Sequence, residues 1–186
     1  MTAAESVRLR RVTTEDLTDG ETLVIRRLLV EAFGADEEER FQEDDWQHAI
    51  GGMHFLAEVE GEIVAHASVV EREIHVDGQP LRTGYVEAVA TTPRHQGKGV
   101  GTQVMRDVGS YIRGRFQLGV LGTGRHGFYE RLGWRTWRGP SSVRTTDGLR
   151  ATPDDDGYIL VLSTTSSPSL DLEDPISCEW RPGDVW

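Results

Sequence analysis

The stretch Arg94-His-Gln-Gly-Lys-Gly-Val-Gly101 lies between a strand pattern and a helix pattern. Several main-chain N–H groups in such a loop can turn toward one point, and the dipole of the following helix adds positive potential there. Glycines let a ligand approach the backbone closely. The chemical match is a di-anion such as pyrophosphate. Two phosphate motifs fail on the residues themselves. A Walker loop needs Ser or Thr after Gly-Lys, but Lys98 is followed by Gly99. A dinucleotide fingerprint needs a third glycine at the position of Thr102, and its glycines directly after the strand, where Thr92–Gln96 intervenes.

A second kind of chemistry comes from charge. The chain has 186 residues and a formal net charge of −11. No basic surplus exists to displace counterions, so nucleic acid is excluded as a partner. Acidic surfaces steer cations. Candidate carboxylates are Asp36, Asp45, Glu87, Asp154, Asp155 and Asp184, with the terminal carboxylate of Trp186, a group ionised at neutral pH. Asp154-Asp155-Asp156 lacks the alternating ligands and closing Glu of a Ca²⁺ loop. The six histidines, at 48, 54, 66, 75, 95 and 126, have no metal-binding spacing, so no metal is expected. His54 or His66 could line a cleft, but packing is the simpler role. Cys178 is the only cysteine, which excludes an internal disulfide, and a half-buried inert thiol is expected.

These groups need a scaffold. Hydrophobic residues make up 37% of the chain and charged residues 27%, which suits one soluble domain. No apolar run approaches the roughly 20 residues that span a bilayer. Met1–Arg10 lacks the apolar core of a signal peptide, so a cytoplasmic location is expected. Val7–Val12 is a strand, and Thr13 to Asp16 a capping pattern before a helix ending at Gly34, interrupted near Gly20. The acidic segment Asp36–Asp45 is a loop before a short helix around Trp46–Ile50. Met53–Glu60, Glu62–Val76 and Leu81–Thr91 form an antiparallel meander with turns at Glu60-Gly61 and Asp77-Gly78. A helix over Gly99–Gly114, a strand at Phe116–Leu121, a short helix at Phe128–Leu132 and strands at Trp134–Trp137 and Tyr158–Leu162 follow. Residues 139–157 and 163–175 read as loops. The class is α+β, a mixed, mostly antiparallel sheet flanked by helices. Trp180 and Trp186 near the end predict a docked tail.

Gln96, Gly99 and Gly101 also match the phosphate signature of the GNAT superfamily of acetyltransferases, in the context of a strand ending Ala-Thr-Thr-Pro and a following helix. The resemblance extends further. Gly84-Tyr-Val-Glu-Ala-Val-Ala90, Trp46-Gln-His with Gly51-Gly-Met-His, Thr152-Pro-Asp-Asp-Asp-Gly157 and Cys178-Glu-Trp-Arg-Pro-Gly-Asp-Val-Trp186 resemble the aminoglycoside 2′-N-acetyltransferases of mycobacteria. That resemblance implies a single GNAT domain over 1–186, acetyl-CoA as donor, a cationic aminoglycoside as acceptor and a homodimer. It places the pantetheine arm at the backbone of Val89, Ala90 and Thr91, and the pyrophosphate at Gln96, Gly97, Lys98, Gly99, Val100 and Gly101. Ala88 and Gly122 join the carboxylates on the acceptor side. Two departures stand out: Gly122–Gly127 is shorter and richer in glycine than the family pattern, and Asp36–Asp45 is longer.

Attack of an amine on a thioester needs a base, an oxyanion donor and an acid for the thiolate. Glu87, between Val86 and Ala88 in a strand, is the expected base; the resemblance has it act through a water. Tyr129, in Gly127-Phe-Tyr-Glu-Arg-Leu-Gly-Trp134, matches the family segment whose tyrosine lies near the CoA sulfur, and is the expected acid. A main-chain N–H near Val89 is the expected oxyanion donor. Other readings are a GNAT enzyme for a polyamine, amino sugar or protein amine, and a non-catalytic acyl-CoA sensor or drug-sequestering protein.

Overall fold

The computed structural model describes residues 6–34 and 41–186. In chain order these form β1 (Val7–Thr13), α1 (Asp19–Phe33), α2 (Glu43–Ala49), β2 (Met53–Val59), β3 (Glu62–Val76), β4 (Gln79–Thr91), α3 (Val100–Arg115), β5 (Leu118–Gly122), α4 (His126–Glu130), β6 (Arg135–Thr136), β7 (Ser141–Thr145), β8 (Gly148–Ala151), β9 (Ile159–Ser163) and β10 (Ile176–Glu179). Two compact units result. The first comprises residues up to Val70 with Val86–Val108; the second comprises Glu71–Tyr85 with Gly109–Trp186.

In the first unit β1 runs antiparallel to β2, from Val7 opposite Val59 to Thr13 opposite Met53. β2 runs antiparallel to β3, and the end of β4 follows β3. Glu60 and Gly61 join β2 to β3 with φ of +51° and +83°. Positive φ at both central residues gives a turn whose twist matches that of the strands. α1 starts at a capping box: Thr18 accepts from the Glu21 N–H, and Glu21 accepts from the Thr18 N–H. The break expected near Gly20 lies at Leu17–Thr18, which are extended, and α1 itself runs unbroken from Asp19. Thr13 caps only a 3₁₀ turn over Thr14–Asp16. α1 buries Ile25, Leu28 and Leu29 against Val12, Trp46, Ala49, Leu56 and Ala90.

In the second unit the strand order is β6-β9-β5-β4-β3-β10-β7-β8. β4 and β5 are parallel, with Thr83 opposite Leu118, so the chain between them must cross over, which α3 does. β5 and β9 are antiparallel, as are β3 and β10. The sheet is thus mixed and mostly antiparallel. Trp134, Trp137, Leu118, Leu121 and Ile112 form part of its core.

Two segments differ from expectation. Residues 139–157 contain the hairpin β7–β8, and the chain after 175 contributes β10, parallel to β7. These strands are short, and all four residues of β8 are exposed. Apolar alternation, the usual sign of a strand, is therefore missing from β8. Among the described residues no helix is long and apolar enough to cross a membrane.

Candidate functional site

In the first unit β4 is kinked at one residue. Ala88 has φ of +52°, a left-handed conformation inside a strand. For a residue with a Cβ this costs about 1–2 kcal/mol. A kink of this kind re-aims side chains, as a bulge does. Glu87, Ala88 and Val89 are all half-buried, so the in-out alternation of the strand is suspended there. Two buried side chains of β3 hold the kink. Ser68 Oγ donates to the Glu87 carbonyl at 3.4 Å, and His66 Nδ1 lies 2.8 Å from the Ala88 carbonyl oxygen.

Beyond β4 the backbone is braced before it reaches the glycines. The Thr92 N–H donates to Val64 O, Thr92 Oγ1 pairs with His95 Nδ1 at 2.8 Å, and the Gln96 side-chain amide donates to Thr91 O at 3.1 Å. Gly97 and Gly99 follow with φ of +72° and +82°, and no atom lies within 4 Å of where either would carry a Cβ. Buried Val100 then starts the 16-residue α3. The first N–H groups of a helix have no intrahelical acceptor. Open space, left-handed glycines and unclaimed helix donors together fit a diphosphate. Gln96 takes part by folding back on Thr91 to brace the turn.

In the second unit Tyr129 lies on α4. Its ring is buried, with edge contacts to Phe128 at 4.9 Å and Trp134 at 6.3 Å between centroids. Burial pushes the phenol up to about 12, against the opposing charge of Arg125. At neutral pH it is a neutral O–H donor.

The same unit holds an acidic cavity of about 230 Å³, lined by Gly122, Thr123, Gly124, Asp155, Tyr158, Ile159, Asp184 and Trp186. Burial raises the Asp155 carboxyl above its ordinary range, and repulsion from Asp184, Asp154 and Asp156 adds to this. The three consecutive aspartates have different surroundings. Asp156 accepts from both the N–H and the hydroxyl of Ser141 at 2.7 Å, while Asp154 is exposed outside the cavity lining. Ser141 Oγ also pairs with Thr152 Oγ1, which accepts from the Trp186 indole at 3.0 Å. The network thereby fixes one wall of the cavity.

Long-range contacts dock the tail. The buried Arg72 donates to the Glu179 carboxylate at 2.9 Å and to its carbonyl at 3.1 Å, and it stacks on the Tyr85 ring at 4.6 Å. Arg181 stacks on the same ring at 5.4 Å and donates to Asp184 O. Trp186 is buried and Trp180 exposed, so the tail docks through Trp186. Cys178 is fully buried rather than half-buried. Its thiol contacts Val185 O and is pushed up to about 11 by burial, so it holds no thiolate at neutral pH.

Of the acceptor-side candidates, the cavity gathers Asp155, Asp184, Gly122 and Trp186. Asp45 caps its own helix, accepting from the Gln42 N–H at 2.6 Å. Asp36 lies outside the described residues. His54 and His66 are core residues with no exposed surface. Sequence reasoning passed over Thr123, Tyr158, Tyr85 and Arg72. No local pattern marks them; Arg72 and its partner Glu179 are 107 positions apart. Among the described residues no group of three or more metal-ligating side chains is present.

Comparison with known proteins is consistent with this geometry. The profile of the "Acetyltransferase (GNAT) domain" matches residues 13–137. An aminoglycoside 2′-N-acetyltransferase of Mycolicibacterium fortuitum is 40% identical over 181 residues, 95% of this chain and 91% of that protein. Among solved structures, the GNAT-family N-acetyltransferase YhbS of Escherichia coli, in complex with CoA, matches with a TM-score of 0.66 and 14% identity over 97% of this chain and 93% of that one. A GNAT-family acetyltransferase of Brucella melitensis, in complex with acetyl-CoA, matches with a TM-score of 0.62 and 17% identity over 93% and 96%. With a family profile over most of its length, a relative at 40% identity and the fold itself in agreement, the chain belongs to the GNAT acetyltransferases.

Proposed function

We propose that this chain, acting as one domain over its whole length, transfers an acetyl group from acetyl-CoA to the 2′-amine of aminoglycosides, a modification that confers resistance. The observation that carries this reading is the acidic cavity holding Asp155 and Asp184, both of which come from the part of the chain beyond the general family profile. Two carboxylates in a confined space suit an acceptor bearing several ammonium groups. The similarity to the M. fortuitum enzyme, which spans this part too, supports the same acceptor class.

The backbone of Val89, Ala90 and Thr91 would hold the pantetheine arm of acetyl-CoA, and Gln96–Gly101 its pyrophosphate. Bound there, acetyl-CoA supplies an activated thioester. The half-buried Glu87 accepts, through a water, the proton that the acceptor ammonium must lose. A main-chain N–H near Val89 supplies the oxyanion donor. Tyr129 presents its O–H to the sulfur. Its pKa of about 12 lies well above that of an ordinary thiol, so it stabilises the departing thiolate as a hydrogen-bond donor and gives up its proton only transiently. On the acceptor side Ala88, Gly122, Asp155, Asp184 and Trp186 bind the cation, with Asp36, Asp45 and Asp154 as outlying charges. The same reading has the enzyme work as a homodimer in the cytoplasm, where acetyl-CoA is made.

Free-thiol release tests the proposal. Gentamicin and tobramycin carry a 2′-amine; kanamycin A and amikacin carry a 2′-hydroxyl. Turnover of the first pair only is expected. Equal turnover of both pairs overturns the regiochemistry, turnover of polyamines alone points to another acceptor, and CoA binding without thiol release points to a sensor. Glu87→Gln should lower kcat by about 100-fold or more while CoA still binds. Tyr129→Phe should lower kcat with acetyl-CoA affinity retained. Unchanged rates in both variants would refute the roles given.

A further inference from the structure

Four hydrogen-bonding groups from four successive segments of the first unit form one line. Thr14 Oγ1 lies 2.8 Å from His54 Nε2, His54 Nδ1 lies 2.9 Å from His66 Nε2, and His66 Nδ1 lies 2.8 Å from the Ala88 carbonyl oxygen. Both imidazoles have no exposed surface, and their ring centroids are 5.2 Å apart.

The direction of every bond follows from the last one. A carbonyl oxygen only accepts, so His66 Nδ1 carries the proton. In a neutral ring His66 Nε2 must then accept, so His54 Nδ1 carries a proton and His54 Nε2 accepts in turn. The donor left for it is the Thr14 hydroxyl. That hydroxyl is free to donate there: its oxygen accepts from the Gly51 N–H at 2.9 Å, and the other acceptor within its reach, Gly52 O, is farther away at 3.4 Å.

We propose that Thr14, His54 and His66 form a one-way hydrogen-bond chain that holds the left-handed kink at Ala88, and that His66 is thereby a positioning residue for Glu87. The proposal rests on Glu87 acting as the base. The kink is unfavourable in itself, because Ala88 has a Cβ and φ of +52°. A strained backbone persists only where its surroundings over-determine it. Here a donor fixed by two further side chains meets the carbonyl of the strained residue, next in the chain to Glu87. Burial keeps both rings neutral, His54 at about 4 and His66 at about 3, so the chain keeps its direction throughout the working pH range.

Two measurements on the full-length protein test this. Long-range ¹H–¹⁵N spectra of the histidine rings read the tautomers directly. Both His54 and His66 should be neutral with the proton on Nδ1; a proton on Nε2 of His66 overturns the chain. Kinetics then test its role. The side-chain nitrogen of Asn overlays Nδ1 of His, whereas that of Gln overlays Nε2. His66→Asn should therefore keep most of kcat, while His66→Gln and His66→Leu lose about 100-fold, as a reacting group misplaced by about an ångström does. The KM of the aminoglycoside should stay within about twofold in all three. Equal kcat for His66→Asn and His66→Gln overturns the positioning role. Should the variants fail to fold, the tautomers of the unmodified protein still decide the hydrogen-bond chain, and a proton on Nε2 of His66 overturns the positioning role with it. A fully active Glu87→Gln with the stated tautomers would remove Glu87 as base and with it the positioning role, and leave the hydrogen-bond chain standing.

Discussion

Gly122, the last residue of β5, lies beside Trp186: a Cβ on Gly122 would sit 3.7 Å from the Trp186 carbonyl carbon and 3.8 Å from the Tyr85 hydroxyl. Those are ordinary contact distances, so one methyl group fits and a branched side chain does not. Gly122→Ala should leave turnover nearly unchanged. Gly122→Val should raise the KM for aminoglycoside by about tenfold, equivalent to ~1.4 kcal/mol. The KM for acetyl-CoA should stay the same. Thiol-release kinetics with each substrate varied in turn separate the two effects.

Asp155 and Asp184 line one cavity, and both face a polycation in the proposed complex. Asp155→Asn and Asp184→Asn should each raise the aminoglycoside KM about tenfold at low salt, and less at high salt, where the attraction is screened. Asp155 also has a raised pKa in the free protein. A bound ammonium favours the ionised carboxylate, so acceptor binding is full above that pKa and weakens as pH falls through it. The acidic rise in KM should therefore begin at a higher pH than an ordinary aspartate would give. The Asp155→Asn variant should lose that rise. KM measured from about pH 7 down to pH 4 checks both points.

Gly99 has φ of +82° with open space where a Cβ would point. Gly99→Ala therefore meets no clash and suffers backbone strain alone, about 1–2 kcal/mol. A shift of this loop changes the direction of its N–H donors. The variant should fold, with a slightly lower Tm, and show a raised KM for acetyl-CoA with an unchanged KM for aminoglycoside. An unchanged acetyl-CoA KM would argue against a phosphate role for this turn.

The buried histidines make stability depend on pH. In the unfolded chain each protonates near its ordinary value of about 6.5. In the folded chain burial lowers His54 to about 4 and His66 to about 3. Between those limits the unfolded state binds more protons, so acid favours unfolding. Their contribution is fully present above the unfolded pKa and is lost as pH falls from there toward the folded values, by at most about 1.4 kcal/mol per pH unit for each ring. Denaturant melts of the wild type and of His54→Phe across pH 7 to 4 should show a shallower acid slope in the variant.

The local chemistry of the site was legible in the residues. Gln96, Gly99 and Gly101 mark a loop that suits a phosphate because glycines take left-handed φ and a helix start offers free N–H groups, and both are properties of neighbours in sequence. The meander was legible for the same reason: Glu60-Gly61 and Asp77-Gly78 mark its turns, and β2 to β4 carry enough apolar residues to register as strands. The strands β7, β8 and β10 were not, since strands of four or five residues carry too little pattern of their own and gain their stability from partners far along the chain. Which acids serve the cavity was likewise beyond sequence. Asp154, Asp155 and Asp156 are identical neighbours, and only packing makes Asp156 a clamp for Ser141 and Asp155 part of the cavity wall. The His54–His66 line needs β2, β3 and β4 side by side, in a register that no spacing of two histidines twelve residues apart could specify. Sequence determined the strongly patterned elements and the loop that suits a diphosphate, because those depend on residues in local contact. Tertiary structure alone decided which side chains meet, because burial, hydrogen-bond direction and shifted proton affinity arise only where distant segments pack together.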